Sequence, residues 1–121
     1  FIQYTYTRIQ SVLKKADETG IKVNKENIAA AVPNQKEMNL IKLINDFPSL
    51  VQEAAGELSP ALIANYCYEI AKEYNQFYHD YSILGEGDTS VRDLRISLSQ
   101  MTGIAIKNGF WLLGIDVPDR M

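Results

Sequence analysis

The stretch that decides the fold class lies at residues 59–81, which read SPALIANYCYEIAKEYNQFYHDY. It opens on Ser59-Pro60, a typical helix start, with serine at the N-cap and proline in the first turn. The apolar residues that follow recur at steps of four and three, the spacing of one helical face. They are Ile63, Cys67, Ile70, Tyr74, Phe77 and Tyr81. This stretch predicts a long amphipathic helix, and Tyr78 beside the stripe is also interpreted as a core residue.

The same spacing recurs at the start of the chain. It predicts a helix from Ile2 to a stop at Gly20, since glycine accepts the left-handed backbone that ends many helices. The inward stripe of this helix is Ile2, Tyr6, Ile9, Leu13 and Ala16. Residues 21–35 are expected to be a loop, because Pro33 and Asn34 interrupt any helix there.

A second and a third helix are predicted between this loop and residue 59. Asn34 with Glu37 three residues later is a variant of the capping box, which starts a helix. Pro48 is expected to open a separate short helix that ends at Gly56. The residues interpreted as inward-facing are Met38, Leu40 or Leu43, Ile41 and Ile44 in the second helix, and Leu50, Val51, Ala54 and Ala55 in the third.

A last long helix is predicted after the glycine-rich residues 85–88. Thr89 or Ser90 caps it and Gly114 ends it. Gly103 and Gly109 within it each weaken a helix by about 1 kcal/mol relative to alanine, so we expect close helix contacts there. Its core residues are predicted to be Val91, Leu94, Leu98, Met101, Ala105 and Trp111.

These helices predict an all-α antiparallel bundle of about five helices in one domain, residues 1–121. The composition, 46% hydrophobic and 22% charged, is that of an ordinary folded domain and excludes a disordered chain. The apolar runs are too short to span a membrane. A single cysteine, Cys67, indicates a reducing, cytoplasmic setting. Because the chain starts on Phe1, we expect a fragment of a longer protein, and we expect it to be monomeric.

Charge is distributed unevenly along the chain. The net charge is −3. Residues 1–25 carry five cations and two anions, residues 26–90 carry three cations and ten anions, and residues 91–121 carry four cations and three anions. If the two ends lie side by side, they form a modest cationic face on an acidic body. Chance unevenness on a solvated surface is the alternative.

Signatures of catalysis are missing. Cys67 and His79 lie on different helical faces, so they do not form a nucleophilic pair. The sequence has no pair of Glu-x-x-His motifs for a di-iron site and no glycine-rich loop that follows a strand. We therefore expect this chain to catalyse nothing alone and to hold no metal or cofactor.

One face of the first helix carries a pattern that suits RNA. Tyr4, Arg8, Ser11 and Lys15 follow each other at steps of four, three and four. Tyr4 lies 200° around the helix from Ile2, opposite the buried stripe. A ring followed one turn later by a guanidinium can stack on an unpaired base and contact a phosphate. The alternative is that Tyr4 packs against another helix and Arg8 pairs with a carboxylate.

Three segments resemble a known family. Residues 1–15, FIQYTYTRIQSVLKK, resemble the start of the C-terminal anticodon-binding domain of arginyl-tRNA synthetases, which typically reads Q-Y-x-x-x-R-I-x-S-[IV]-L-R-K. Residues 60–78, from Pro60 to the Phe-Tyr pair, resemble the second signature of that domain. Residues 112–121, LLGIDVPDRM, are similar to its terminal L-L-G-I-x-x-P-[ED]-R-M. The three matches occur in the family's order and extend over the chain.

The resemblance implies a helical bundle of the DALR type that binds the anticodon loop of tRNA. A separate upstream catalytic domain of the same chain would then join arginine to tRNA with ATP and Mg²⁺. The tRNA-binding residues that the resemblance carries over are Tyr4, Arg8, Tyr66 and the terminal Met121, and Lys15 lies on the same face as the first two. The literal D-A-L-R string is absent, and Asp93-Leu94-Arg95 is nearest to it.

Two alternatives stay open at this point. The first is the related domain of cysteinyl-tRNA synthetases, although its terminal motif differs from residues 112–121. The second is a helical protein–protein adaptor whose exposed tyrosines would be interface anchors.

Overall fold

The computed structural model describes residues 1–114, which form five helices and no strand. The helices are α1 (Ile2–Glu18), α2 (Lys25–Ala30), α3 (Gln35–Glu57), α4 (Pro60–Asp80) and α5 (Thr89–Leu112). The predicted all-α class is confirmed. None of the helices in this part of the chain is long and apolar enough to cross a membrane.

The four long helices form an up-and-down bundle. Tyr74 of α4 forms a hydrogen bond with Ser99 of α5. Cys67, two turns before Tyr74, lies against Gly109, which comes after Ser99, so α4 and α5 run antiparallel. Lys36 near the start of α3 lies beside Glu73 near the end of α4, so this pair is antiparallel too. Phe1, next to the start of α1, lies beside Tyr68, and Arg8 lies beside Tyr78, so α1 runs parallel to α4. The short α2 packs against α5.

Several helix ends lie where the sequence predicts them. Gly20 follows α1 and has a φ of +75°, a left-handed conformation that glycine adopts without strain. Ser59 and Pro60 start α4, and Gly114 follows α5, also with a positive φ. Asn34 starts the next long helix through a complete capping box with Glu37. The last helix is capped by the carboxylate of Asp88, not by Thr89 or Ser90.

The predicted loop at residues 21–35 contains a helix. The side chain of Asn24 accepts hydrogen bonds from the amides of Glu26 and Asn27 and caps α2. The buried carboxylate of Asp93 in α5 accepts hydrogen bonds from the Asn24 amide (3.2 Å) and the Asn27 side chain (3.1 Å). A six-residue helix is marginal alone, so this tertiary anchor explains why local pattern does not reveal it.

The predicted break at Pro48 was wrong. Residues 35–57 form one continuous helix, α3, with Pro48 inside it and Gly56 within its last turn. Contacts with α4 hold the helix beside the proline: the Tyr66 ring lies against Phe47 (centroids 5.2 Å apart) and the Tyr66 hydroxyl donates to the Leu43 carbonyl (2.6 Å). The helix ends at Leu58 in a left-handed conformation.

The core lies between the long helices and contains most of the predicted stripe residues. Its largest fully buried side chains include Ile9, Leu40, Ile70, Tyr74, Phe77 and Ile106. Gly103 and Gly109 permit the expected close contacts: an added Cβ would lie 3.1 Å from Ile9 and 2.5 Å from the Cys67 sulfur, respectively. Met38, Ala55, Met101, Tyr78 and Trp111 were wrongly predicted as inward-facing and are exposed, Trp111 by 73%.

Candidate nucleic-acid interface

The two neighbouring tyrosines of α1 lie in opposite environments. Tyr4 is 53% exposed, whereas Tyr6 is only 3% exposed and belongs to the core. This division confirms the helical faces that the sequence predicts. Arg8 follows Tyr4 by one turn, on the same side of α1.

Arg8 is held by neutral groups and not by a carboxylate among the described residues. Its Nη1 donates to the amide oxygen of Asn75 in α4 (2.6 Å), and its Nη2 lies 3.4 Å from the Tyr4 hydroxyl. Asn75 in turn donates to the Thr5 hydroxyl (2.6 Å) and the Ala71 carbonyl (3.1 Å). This network fixes the orientation of the guanidinium without neutralising its charge.

The Arg8 guanidinium also contacts two aromatic rings. Its central carbon is 5.1 Å from the Tyr4 ring centroid and 4.5 Å from that of Tyr78. Both distances are within the range of a cation–π contact. The result is a cluster of one planar cation and two rings, supplied by two helices.

This cluster lies along an open groove between α1 and the end of α4, of about 620 Å³, which we call the α1–α4 groove. Its described lining includes Tyr4, Arg8, Ser11, Lys15, Tyr78 and residues 81–85. Among the described residues, the lining contains two cations, Arg8 and Lys15, and no aspartate or glutamate. An acidic protein thus presents a positive, aromatic groove, which is the combination that single-stranded nucleic acid requires.

The structure brings together three of the five residues that the sequence singles out: Tyr4, Arg8 and Lys15. Tyr66 lies elsewhere, in the core, with 6% of its surface exposed, and burial raises the pKa of its hydroxyl. Tyr68, two residues after Tyr66 in α4, is exposed. Met121 lies outside the described residues.

Sequence reasoning missed the contribution of α4 to this groove. Tyr78 follows Tyr74 by one turn, which is also the spacing of a buried stripe, so its position alone did not separate the two environments. Asn75 is the available signal: a polar residue between Tyr74 and Tyr78 marks the edge of the buried face. That Asn75 meets Arg8, 67 residues earlier, depends on the packing of α1 against α4.

Residues 1–114 contain no group of three or more His, Cys, Asp or Glu side chains placed to hold a metal ion. Cys67 is fully buried, and burial raises its pKa to about 11, so its thiol stays protonated and unreactive near neutral pH.

Comparison with known proteins identifies the family of this chain. The model of the DALR anticodon binding domain matches residues 2–121. Arginine–tRNA ligases from Bacteroides thetaiotaomicron and Flavobacterium psychrophilum are 50% and 48% identical to the chain over its full length. The chain spans about a fifth of the length of these relatives, 20% and 19%.

Solved structures agree with this assignment. An arginyl-tRNA synthetase from Thermus thermophilus superposes with a TM-score of 0.84 at 30% identity, over 99% of this chain and 20% of that one. A Campylobacter jejuni structure, at 24% identity and a TM-score of 0.82 over 99% of this chain and 26% of that one, supports the fold alone. Because the family model matches nearly its whole length, the chain belongs to the DALR anticodon binding domain family.

Proposed function

We propose that this chain is the anticodon-binding domain of an arginine–tRNA ligase and that the α1–α4 groove receives the anticodon loop of arginine tRNA. The observation that carries the proposal is the Tyr4–Arg8–Tyr78 cluster in a groove whose described lining contains no carboxylate. Family membership and the names of the relatives support it.

The groove has the parts that an unpaired loop needs. Tyr4 offers an exposed ring on which a splayed-out base can stack, a contact worth about 1–3 kcal/mol per base. Arg8 keeps donors in addition to the one directed at Asn75, and these can bind a base edge or a phosphate. Lys15 is exposed near the other end of α1 and can neutralise a phosphate. Met121 is proposed as a further contact from the resemblance alone.

The remaining functions of the ligase belong to the rest of the proposed full-length protein. A catalytic domain would bind ATP with Mg²⁺ and join arginine to the tRNA held here. We propose that the protein is a cytoplasmic monomer. In this scheme the described chain binds and orients tRNA and performs no covalent step.

The other two functions lack comparable support. The curated relatives quoted above carry the arginine name, and none of the observations favours a cysteine-specific enzyme. A protein–protein adaptor would explain exposed tyrosines, but it would not require a cationic groove with no carboxylate among its described lining residues.

A salt titration tests the proposal. The full-length protein should bind an arginine tRNA transcript with an affinity that falls steeply as salt rises, because phosphate contacts release counterions. A transcript of the same tRNA with a changed anticodon is the matched control and should bind more weakly. Equal binding of the two transcripts, or binding independent of salt, would contradict an anticodon-binding role.

A further inference from the structure

One buried guanidinium ties three segments of the fold together. Arg95 in α5 donates from Nε to Glu37 at the start of α3 (2.8 Å). Its Nη1 donates to Glu86 (2.9 Å) and to the backbone carbonyl of Ser82 (2.7 Å), both in the connection between α4 and α5. The guanidinium also lies 5.1 Å from the ring centroid of Tyr81. Arg95 therefore contacts the connection near both of its ends.

The same connection forms a wall of the α1–α4 groove. Residues 81–85 line the groove and lie outside the helices, in the connection between α4 and α5. Ile83 anchors this wall in the core. On its polar side the wall is bonded by Arg95 and by two hydrogen bonds of its own. The Ser82 hydroxyl accepts from the Gly85 amide (3.1 Å). The Glu86 carboxylate accepts from the Asp88 amide (3.1 Å).

We propose, on the basis of the RNA-binding function above, that Arg95 and Glu86 are positioning residues that hold this wall in the place required for tRNA binding. Arg95 is too buried to touch a nucleotide. Glu86 carries a negative charge near a groove for a polyanion. Its value to binding therefore lies in its bond to Arg95 and not in contact with RNA.

This role and simple electrostatics predict opposite signs for one substitution. Glu86→Gln removes a negative charge near the groove, which by itself strengthens attraction to phosphates. If Glu86 positions the wall, the same change weakens binding, because the neutral amide loosens the charged hydrogen bond to Arg95. Glu86 is partly exposed, so the variant should keep its fold.

The experiment uses the full-length protein and an arginine tRNA transcript at one salt concentration. We expect Glu86→Gln to raise Kd about fivefold, a fraction of the effect of a charged hydrogen bond. Hydrogen exchange of peptides covering residues 82–88 should accelerate in the variant, while peptides from α1 and α5 stay unchanged. Arg95→Lys, which keeps the charge but lacks the forked donors, should act in the same direction.

Glu18→Gln is the matched control, since its carboxylate pairs only loosely with Lys14 (4.0 Å) on the exposed end of α1. It removes the same charge near Lys15 and should leave Kd unchanged or lower it. Unchanged exchange at residues 82–88 in Glu86→Gln would overturn the positioning role, whether or not tRNA binds. Faster exchange with an unchanged or lower Kd would also overturn it. Absence of tRNA binding by the unmodified protein would instead remove the proposed function.

Discussion

At the residue scale, two tyrosines two positions apart on α1 are predicted to have separable roles. Tyr4→Ala should weaken binding of arginine tRNA about tenfold or more in the full-length protein, since stacking on a ring is worth about 1–3 kcal/mol. Its melting temperature should stay nearly unchanged because Tyr4 is exposed. Tyr6→Ala should instead lower the free energy of unfolding by about 3–5 kcal/mol, as for other buried aromatic residues. The reverse outcome would mean that the two faces of α1 are assigned wrongly.

A second prediction concerns the contact between α4 and α5. Gly109→Ala should destabilise the fold by about 1–3 kcal/mol, because the new methyl group would lie 2.5 Å from the Cys67 sulfur. Cys67→Ala removes that sulfur, so the double variant should recover part of the loss. Denaturant unfolding of the two single variants and the double variant measures this coupling. Strict additivity would show that the sulfur does not limit the space at Gly109.

At the element scale, α3 retains a proline that its backbone does not favour. Pro48→Ala should raise the free energy of unfolding by about 1–3 kcal/mol, since alanine restores the N–H and removes the ring from an exposed position. The exposed neighbour substitution Ser49→Ala is the control and should change stability by less than about 0.5 kcal/mol. A loss of stability in Pro48→Ala would indicate that the ring contributes packing or restrains the unfolded chain.

The elements also separate what sequence can predict from what it cannot. Helices α1, α4 and α5 are long and strongly periodic, and their stripes lead to the core directly. The short α2 and the unbroken α3 depend on partners distant in sequence, namely Asp93 for the first and Tyr66 for the second. Local sequence signals describe which conformation the backbone of a segment prefers. Where two conformations are close in free energy, burial against another element decides between them.

At the scale of the whole molecule, acid should weaken the fold through one buried carboxylate. Burial alone would raise the pKa of Asp93, but hydrogen bonds from Asn27, Asn24 and Arg92 outweigh it and lower the pKa below its ordinary value of about 3.9. Its stabilising effect is thus complete above about pH 4 and disappears as the pH falls through the lowered value.

Asp93→Asn should therefore reduce the free energy of unfolding at neutral pH and flatten its decline below about pH 4. Urea unfolding at a series of pH values measures both effects. Asp80→Asn, at an exposed site, is the control and should leave the curve nearly unchanged. An Asp93→Asn curve parallel to that of the unmodified protein would show that another group dominates the acid response.

The candidate site could be predicted from the sequence only in part, because its residues come from several elements. Tyr4, Arg8 and Lys15 belong to one helix, so their spacing alone places them on one face. Tyr78 and Asn75 reach Arg8 only through the packing of α1 on α4. Residues 81–85 line the groove from a connection that bonds Arg95 of α5 and has Ile83 buried in the core. A single-helix pattern contains none of these relations.

The distance along the chain between Arg8 and Asn75, 67 residues, also has a consequence for synthesis. A ribosome makes α1 first, and its Tyr4 and Arg8 leave the exit tunnel long before α4 and α5 exist. The emerging helix carries an aromatic ring and a cation but lacks the opposite wall, so it has no slot for a base. On the function proposed above, tRNA binding in this groove requires α4, and we expect it only once the bundle has folded.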